Sequence, residues 1–196
     1  MNAESRSRGS WRMVPFLLCL PLTACFSFGG EKYPPAWPSL SSEGNCSSIS
    51  GTYADSGKRI GENTFEHASL SSALGHYKSQ PFAFPTDRVR ISFGDGDDVM
   101  EVKVWTMDRP VGTIRFSRVA GDFKCYWGSI EISRSEFLAG AMVAGSETEA
   151  IRVSKAVDGS LILRRSDSAY GVAGGVIPIV ATRVVSWSRF AAATAN

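Results

Sequence analysis

The sequence predicts an all-β domain: an antiparallel β-sandwich or small β-barrel of about eight or nine strands, with one short helix. Three observations predict it. Apolar and polar residues alternate with period two in several short runs, the pattern of half-buried strands. Glycine- and aspartate-rich turn sequences separate those runs at hairpin spacing. Only one segment carries helical spacing instead.

Taken in order, Ile49, Gly51 and Tyr53 open the strand-like region. Asn63 followed three residues later by Glu66 has the form of a capping box, and Leu70, Leu74 and Tyr77 recur at helical intervals, with Gly75 as the expected stop. Val89, Ile91 and Phe93 then alternate with Arg88, Arg90 and Ser92. Gly94-Asp95-Gly96-Asp97-Asp98 supplies a turn, and Met100, Val102 and Val104 resume the alternation against Glu101 and Lys103, so the pair reads as a hairpin. Arg109-Pro110 marks the next break, before Ile114 and Phe116.

Beyond Gly121-Asp122, Phe123, Cys125 and Trp127 fall on one face, and Ile130 and Ile132 follow a bulge or turn at Gly128. Residues 138–148 read equally as a loop or a short helix. Ile151 and Val153 lead to a turn at Asp158-Gly159, and Leu161 and Leu163 return from it. Gly171-Val172-Ala173-Gly174-Gly175 reads as a flexible loop before a last strand that carries Val185, Trp187 and Arg189 on one face. No repeat of solenoid or propeller length is present.

The first 24 residues have another character. Arg6, Arg8 and Arg12 form a basic start, and residues 13–23 form an apolar run of 11 residues. That run is too short to span a bilayer, which takes about 20 residues, and suits a signal sequence. It ends in Leu22-Thr23-Ala24-Cys25, which resembles the lipobox of bacterial lipoproteins. Cys19 fits that pattern poorly, because the bulky Leu18 precedes it. The resemblance implies cleavage after Ala24, a diacylglyceryl group on the Cys25 sulfur, and acylation, such as by palmitate, of the new amine. It implies a membrane partner through lipid, and Phe26 in place of Asp after the cysteine resembles lipoproteins sorted to the outer membrane. The expected organisation is a signal peptide at 1–24, a lipidated Pro/Gly/Ser-rich tether at 25–45, a β domain at 46–190 and a tail at 191–196.

Once Cys19 and Cys25 are so assigned, Cys46 and Cys125 remain as an even pair in an exported chain, and a disulfide between them is expected. Removing residues 1–24 takes away three basic residues and one acidic one, leaving 18 of each sign. A neutral chain without charge blocks offers nucleic acid no footing.

Chemistry-bearing clusters are sparse. His67 and His76 sit in no nucleophile motif, so neither is expected to be catalytic, and no enzyme activity is expected. Asp95, Asp97 and Asp98 resemble the start of a calcium loop but lack its closing glutamate, so neither metal nor cofactor is expected. Trp105 alternates with the apolar face of its own strand. With Lys103 and Met107 it marks either an exposed patch for a ligand or partner, or the interior of a barrel.

Two further resemblances bear on function. Cys46-Ser47-Ser48-Ile49-Ser50-Gly51-Thr52-Tyr53, behind a lipobox and tether, looks like the opening of uncharacterised proteobacterial envelope lipoproteins. Gly51-Thr52-Tyr53 with Arg189 resembles lipocalins, although Tyr53 stands where that family has tryptophan. The first lends no function of its own; a β domain displayed on a lipid anchor, with no base, nucleophile or metal set, is expected to be a non-catalytic binding or structural module with an envelope protein as partner. The second implies a carrier of an apolar small molecule.

Overall fold

The computed structural model describes residues 25–27, 32–42, 44–61, 67–79, 86–139, 143–173 and 177–193. The strands are β1 (Cys25–Ser27), β2 (Gly51–Ala54), β3 (Ser56–Gly61), β4 (His67–Ser69), β5 (Arg88–Phe93), β6 (Val99–Thr106), β7 (Arg109–Ser117), β8 (Lys124–Tyr126), β9 (Ser129–Ala139), β10 (Val143–Lys155), β11 (Leu161–Ala173) and β12 (Ile177–Phe190). One helix, α1 (Leu70–His76), follows β4, and short 3-10 turns lie at Cys46–Ile49 and Asp95–Asp97.

Two sheets form. The larger runs β4-β3-β12-β11-β10-β9-β8, with β1 lying parallel to β12, and the smaller runs β2-β5-β6-β7. Neither closes on itself, so the sandwich expectation holds and the barrel alternative falls. There are twelve strands among the described residues, more than the eight or nine expected, because very short pairings such as β4 and β8 carry little periodicity.

The alternation does what the sequence implied. In β6, Met100, Val102 and Val104 are fully buried while Lys103 faces solvent. Across the interface Ile130, Val153, Leu161 and Phe190 of the large sheet are equally buried. Each such side chain contributes about 1.5–3 kcal/mol relative to exposure. Tyr53 joins this core, donating its hydroxyl to the Ile49 carbonyl at 2.6 Å, and burial pushes its phenol up to about 12.

A corner joins the sheets. The chain passes from β2 to β3 through Asp55, while the partner segment passes from β12 to residues 191–193, which pair back onto β2 (Ala54 N to Ala191 O 2.9 Å; Ala193 N to Thr52 O 2.8 Å). Residues 191–193, expected as tail, thus extend the smaller sheet. Gly57 sits where the corner is tightest: a Cβ there would come within 2.5 Å of the Arg189 carbonyl oxygen and the Phe190 ring. Asp55 itself is buried at 4% exposure. Its carboxylate accepts from Ser71 N at 2.6 Å, from Ser69 Oγ at 3.0 Å and from Thr86 Oγ1 at short range. Its backbone bonds Asp87 O and Leu70 N, each at 2.9 Å.

Cys46 and Cys125 form a disulfide, with Cα atoms 5.7 Å apart and a sequence separation of 79. It fastens the 3-10 turn that opens the domain to β8.

Several local expectations are corrected. Ile49 closes that 3-10 turn instead of starting a strand. The helix begins at Leu70 because Ser69, extended and paired with β3, caps it by accepting from Ser72 N at 3.1 Å; Gly75 lies inside it, and Asn63 and Glu66 fall outside the described residues. The break near Arg109-Pro110 is made by Met107 and Asp108, whose φ values of 47° and 64° suit a tight hairpin. Pro110 belongs to β7, an edge strand where its missing N–H is tolerated. Trp127 does not share a face with Cys125. Tyr126 pairs with Ser129, so Trp127 and Gly128 must form the turn, at φ 44° and 71°, and the indole is 89% exposed.

Residues 138–148 contribute strand rather than loop or helix, with β9 reaching Ala139 and β10 starting at Val143. Gly171 to Ala173 are strand as well. Within the expected tether, residues 33–41 are laid on the outer face of the large sheet. Tyr33 and Trp37 pack there with Ile60, Ile162 and Trp187, and Ser41 N donates to Lys155 O at 2.8 Å. The aromatic pair supplies burial that proline and serine alone would not.

Two outcomes are expected. Asp55→Ala strands a buried amide and two hydroxyls, and urea titration should show a loss of about 3 kcal/mol. Reducing the disulfide should cost up to roughly 4.5 kcal/mol, the chain-entropy value for a loop this long, read as a lower denaturation midpoint in the presence of reductant.

Candidate functional site

The long strands β9 to β12 outlast the smaller sheet, and their free halves form a wing. In β9, β10 and β11 the apolar phase that faces the core continues into charged residues: Ile130 and Ile132 into Arg134 and Glu136, Val153 and Ile151 into Glu149 and Glu147, and Leu161 and Leu163 into Arg165 and Asp167. Register sets Arg134 opposite Glu149, and Glu149 opposite Asp167. His76, at the end of α1, closes this recess of about 280 Å³.

Glu149 is its centre. One carboxylate oxygen meets His76 Nε2 at 3.2 Å and the other meets Arg165 at 2.6 Å. Arg134 pairs with Glu136 at 2.6 Å. Asp167 is placed differently: its Oδ1 is buried without a hydrogen-bond partner among the described residues. Burial, followed by the charges of Glu149 and Glu147, raises its pKa against the pull of Arg165. Tyr77, which lines an adjoining recess with His76 and Glu149, is likewise held above its ordinary value, first by burial and then by Glu149. The arrangement is a mixed-charge recess with one buried oxygen left as an acceptor.

The residues singled out from sequence lie elsewhere. Cys25 stands in β1 opposite Val180, whereas Leu22, Thr23 and Ala24 fall outside the described residues. Lys103 and Trp105 share the outer face of β6, and Met107 stands in the following turn at 84% exposure. Lys103 is paired with Glu101 at 2.7 Å, and Met107 N donates to Asp87 at 2.9 Å. With no barrel to enclose it, Trp105 is half-buried on the outside of the sandwich. Asp98 pairs with Arg118 at 2.6 Å and Asp97 accepts from Ser47 N at 3.4 Å, so both serve the turn. His67 lines a separate recess of about 950 Å³ along β3, with Lys58, Arg59 and Arg189. Arg189 alternates away from the buried Phe190 and binds Asp158 at 2.5 Å, on a different face from Tyr53.

Sequence reasoning missed the recess and Asp55. The in-phase switch from apolar to charged residues was a visible signal of where the inner face leaves the core. A lone aspartate in a turn offers no such signal.

Among the described residues, no helix is long and apolar enough to cross a membrane. Comparison with known proteins brings no match: no family model, curated protein or solved structure matches this chain.

The raised Asp167 pKa fixes a pH dependence. A carboxyl whose folded pKa lies above its unfolded value contributes stability that is full below the unfolded pKa and lost as pH rises through the folded one. Asp167→Asn should therefore stabilise the protein at pH 7, by less than about 1 kcal/mol because solvent screens the site. The gain should vanish below about pH 4, and paired denaturant titrations at the two pH values will show it.

Proposed function

We infer that this chain is a lipoprotein of the cell envelope, cut before Cys25 and held on a membrane by lipid at that residue. The observation that carries the reading is Leu22-Thr23-Ala24-Cys25 at the end of a basic and then apolar segment. Two or three acyl chains anchor a protein firmly, each buried CH₂ gaining about 0.8 kcal/mol. The Cys46–Cys125 disulfide supports export, since such bonds persist outside a reducing cytosol. Phe26 after the cysteine favours the outer membrane, facing the periplasm.

The anchored domain acts as a non-catalytic binding or structural module. Its core between the sheets is filled by side chains such as Phe116, Phe123 and Phe190. That favours contact through the surface over carriage of an apolar molecule inside. The exposed indole of Trp127 offers such surface, and an envelope protein is the expected partner.

Cys25→Ala should abolish incorporation of labelled fatty acid and leave residues 1–24 attached, seen as a heavier chain by mass spectrometry. Label retained by that variant would overturn the assignment.

A further inference from the structure

The free end of the wing bears one row of residues running straight across five strands. Phe137 lies opposite Ser146, Ser146 opposite Tyr170, Tyr170 opposite Val180, and Val180 opposite Cys25. Cross-strand neighbours share a face, and on it Phe137 is 76% exposed and Tyr170 64%. Two large aromatics thus stand in solvent in the same row as the residue that carries the lipid in the reading above.

Charge stops at this row. Glu136 and Glu147 lie one residue nearer the sandwich, opposite each other. From the row outward the chain changes character: stretches 137–146 and 168–182 contain no charged residue. Ionised side chains resist leaving water, whereas aromatic ones settle at the boundary between headgroups and acyl chains. A partner that accepts uncharged, partly apolar strand ends beside an acylated cysteine is the membrane surface itself.

We propose that the row from Phe137 to Cys25 rests in the headgroup layer of the membrane, so that the wing contacts the bilayer directly alongside the lipid. This rests on the lipoprotein reading for the identity of the anchor. Depth follows from strand length. Val143 pairs with Ala173, three residues beyond Tyr170, so the paired strands pass the row by about 10 Å. That matches interfacial burial of about 5–10 Å and falls far short of the roughly 9–11 residues per strand that spanning takes. The open edge agrees. β8 covers β9 only at residues 129–131, and among the described residues no strand pairs with the rest of that edge. Unpaired backbone groups can be satisfied among headgroups and water but not in hydrocarbon.

The test uses the full chain, purified from producing cells in detergent and reconstituted into phosphatidylethanolamine–phosphatidylglycerol vesicles carrying brominated lipids. Single thiols introduced as Phe137→Cys, Tyr170→Cys and Val157→Cys carry an environment-sensitive fluorophore. Val157 is the control, 68% exposed in the turn at the opposite end of β10. Labels at 137 and 170 should lose at least half their emission to brominated lipid and shift to the blue, and the label at 157 should do neither. Equal behaviour at all three positions overturns the proposal. A Phe137→Glu, Tyr170→Glu double variant labelled at Ser146→Cys should escape quenching while keeping its acyl groups; quenching at the wild-type level there also overturns it. The mass of the N-terminal peptide separates the two readings. Acylation without quenching sinks the membrane contact alone, and quenching without acylation sinks the anchor alone.

Discussion

The fold depends on a buried carboxylate at the place where the chain changes sheets. Strands can turn a sandwich corner only if the bend is held, since a bent ribbon loses ladder partners on its outer side. Asp55 holds it. Its backbone joins the bend to the start of β5 and to the first residue of α1, and its side chain takes the Ser71 amide and two hydroxyls. The bend, the β4–α1 junction and the start of β5 are thereby fixed around one residue. Gly57 lets the second ribbon strand approach, and residues 191–193 complete the corner from the other side. Without that corner the two sheets would have separate edges and no shared seam.

What was legible in the sequence was what depends on a residue's own neighbours. Alternation at Val89, Ile91 and Phe93, and at Met100, Val102 and Val104, follows from the pleat alone, and both runs are strands facing the core. The Cys46–Cys125 pair was legible by elimination. The failures came where a partner strand decides. Trp127 continues the parity of Phe123 and Cys125, yet Tyr126 pairing with Ser129 leaves it no place but the turn. Likewise Ser69 takes the cap because pairing with β3 holds it extended.

The charged recess shows the same limit at the level of a site. Its residues come from three strands and the end of a helix, and no local motif links Glu149 to His76, 73 residues away. Each strand nonetheless wrote half of the message, as charge in the positions where apolar residues had been. Those charges also explain why the smaller sheet stops where it does. Covering Arg134, Glu149, Arg165 and Asp167 with apolar strands would bury ions at a cost their mutual pairing does not offset. The wing is free because its inner face was made unfit for a core.

That freedom leaves the wing and the sandwich joined on the outside by the segment first read as a tether. Ser27 lies opposite Thr182, and the ring of Tyr33 meets that of Trp187 at 5.1 Å. Along β12 those two landmarks are five residues apart, about 17 Å. Past Tyr33 the segment is held again by Trp37, by Ser41 and at last by the disulfide at Cys46. A proline- and glycine-rich stretch with free ends would let a domain roam tens of ångströms from its membrane. Fixed at both ends along β12, the same stretch holds Cys25 in register with the wing, and lipid on that cysteine would orient the whole sheet as well as retain it.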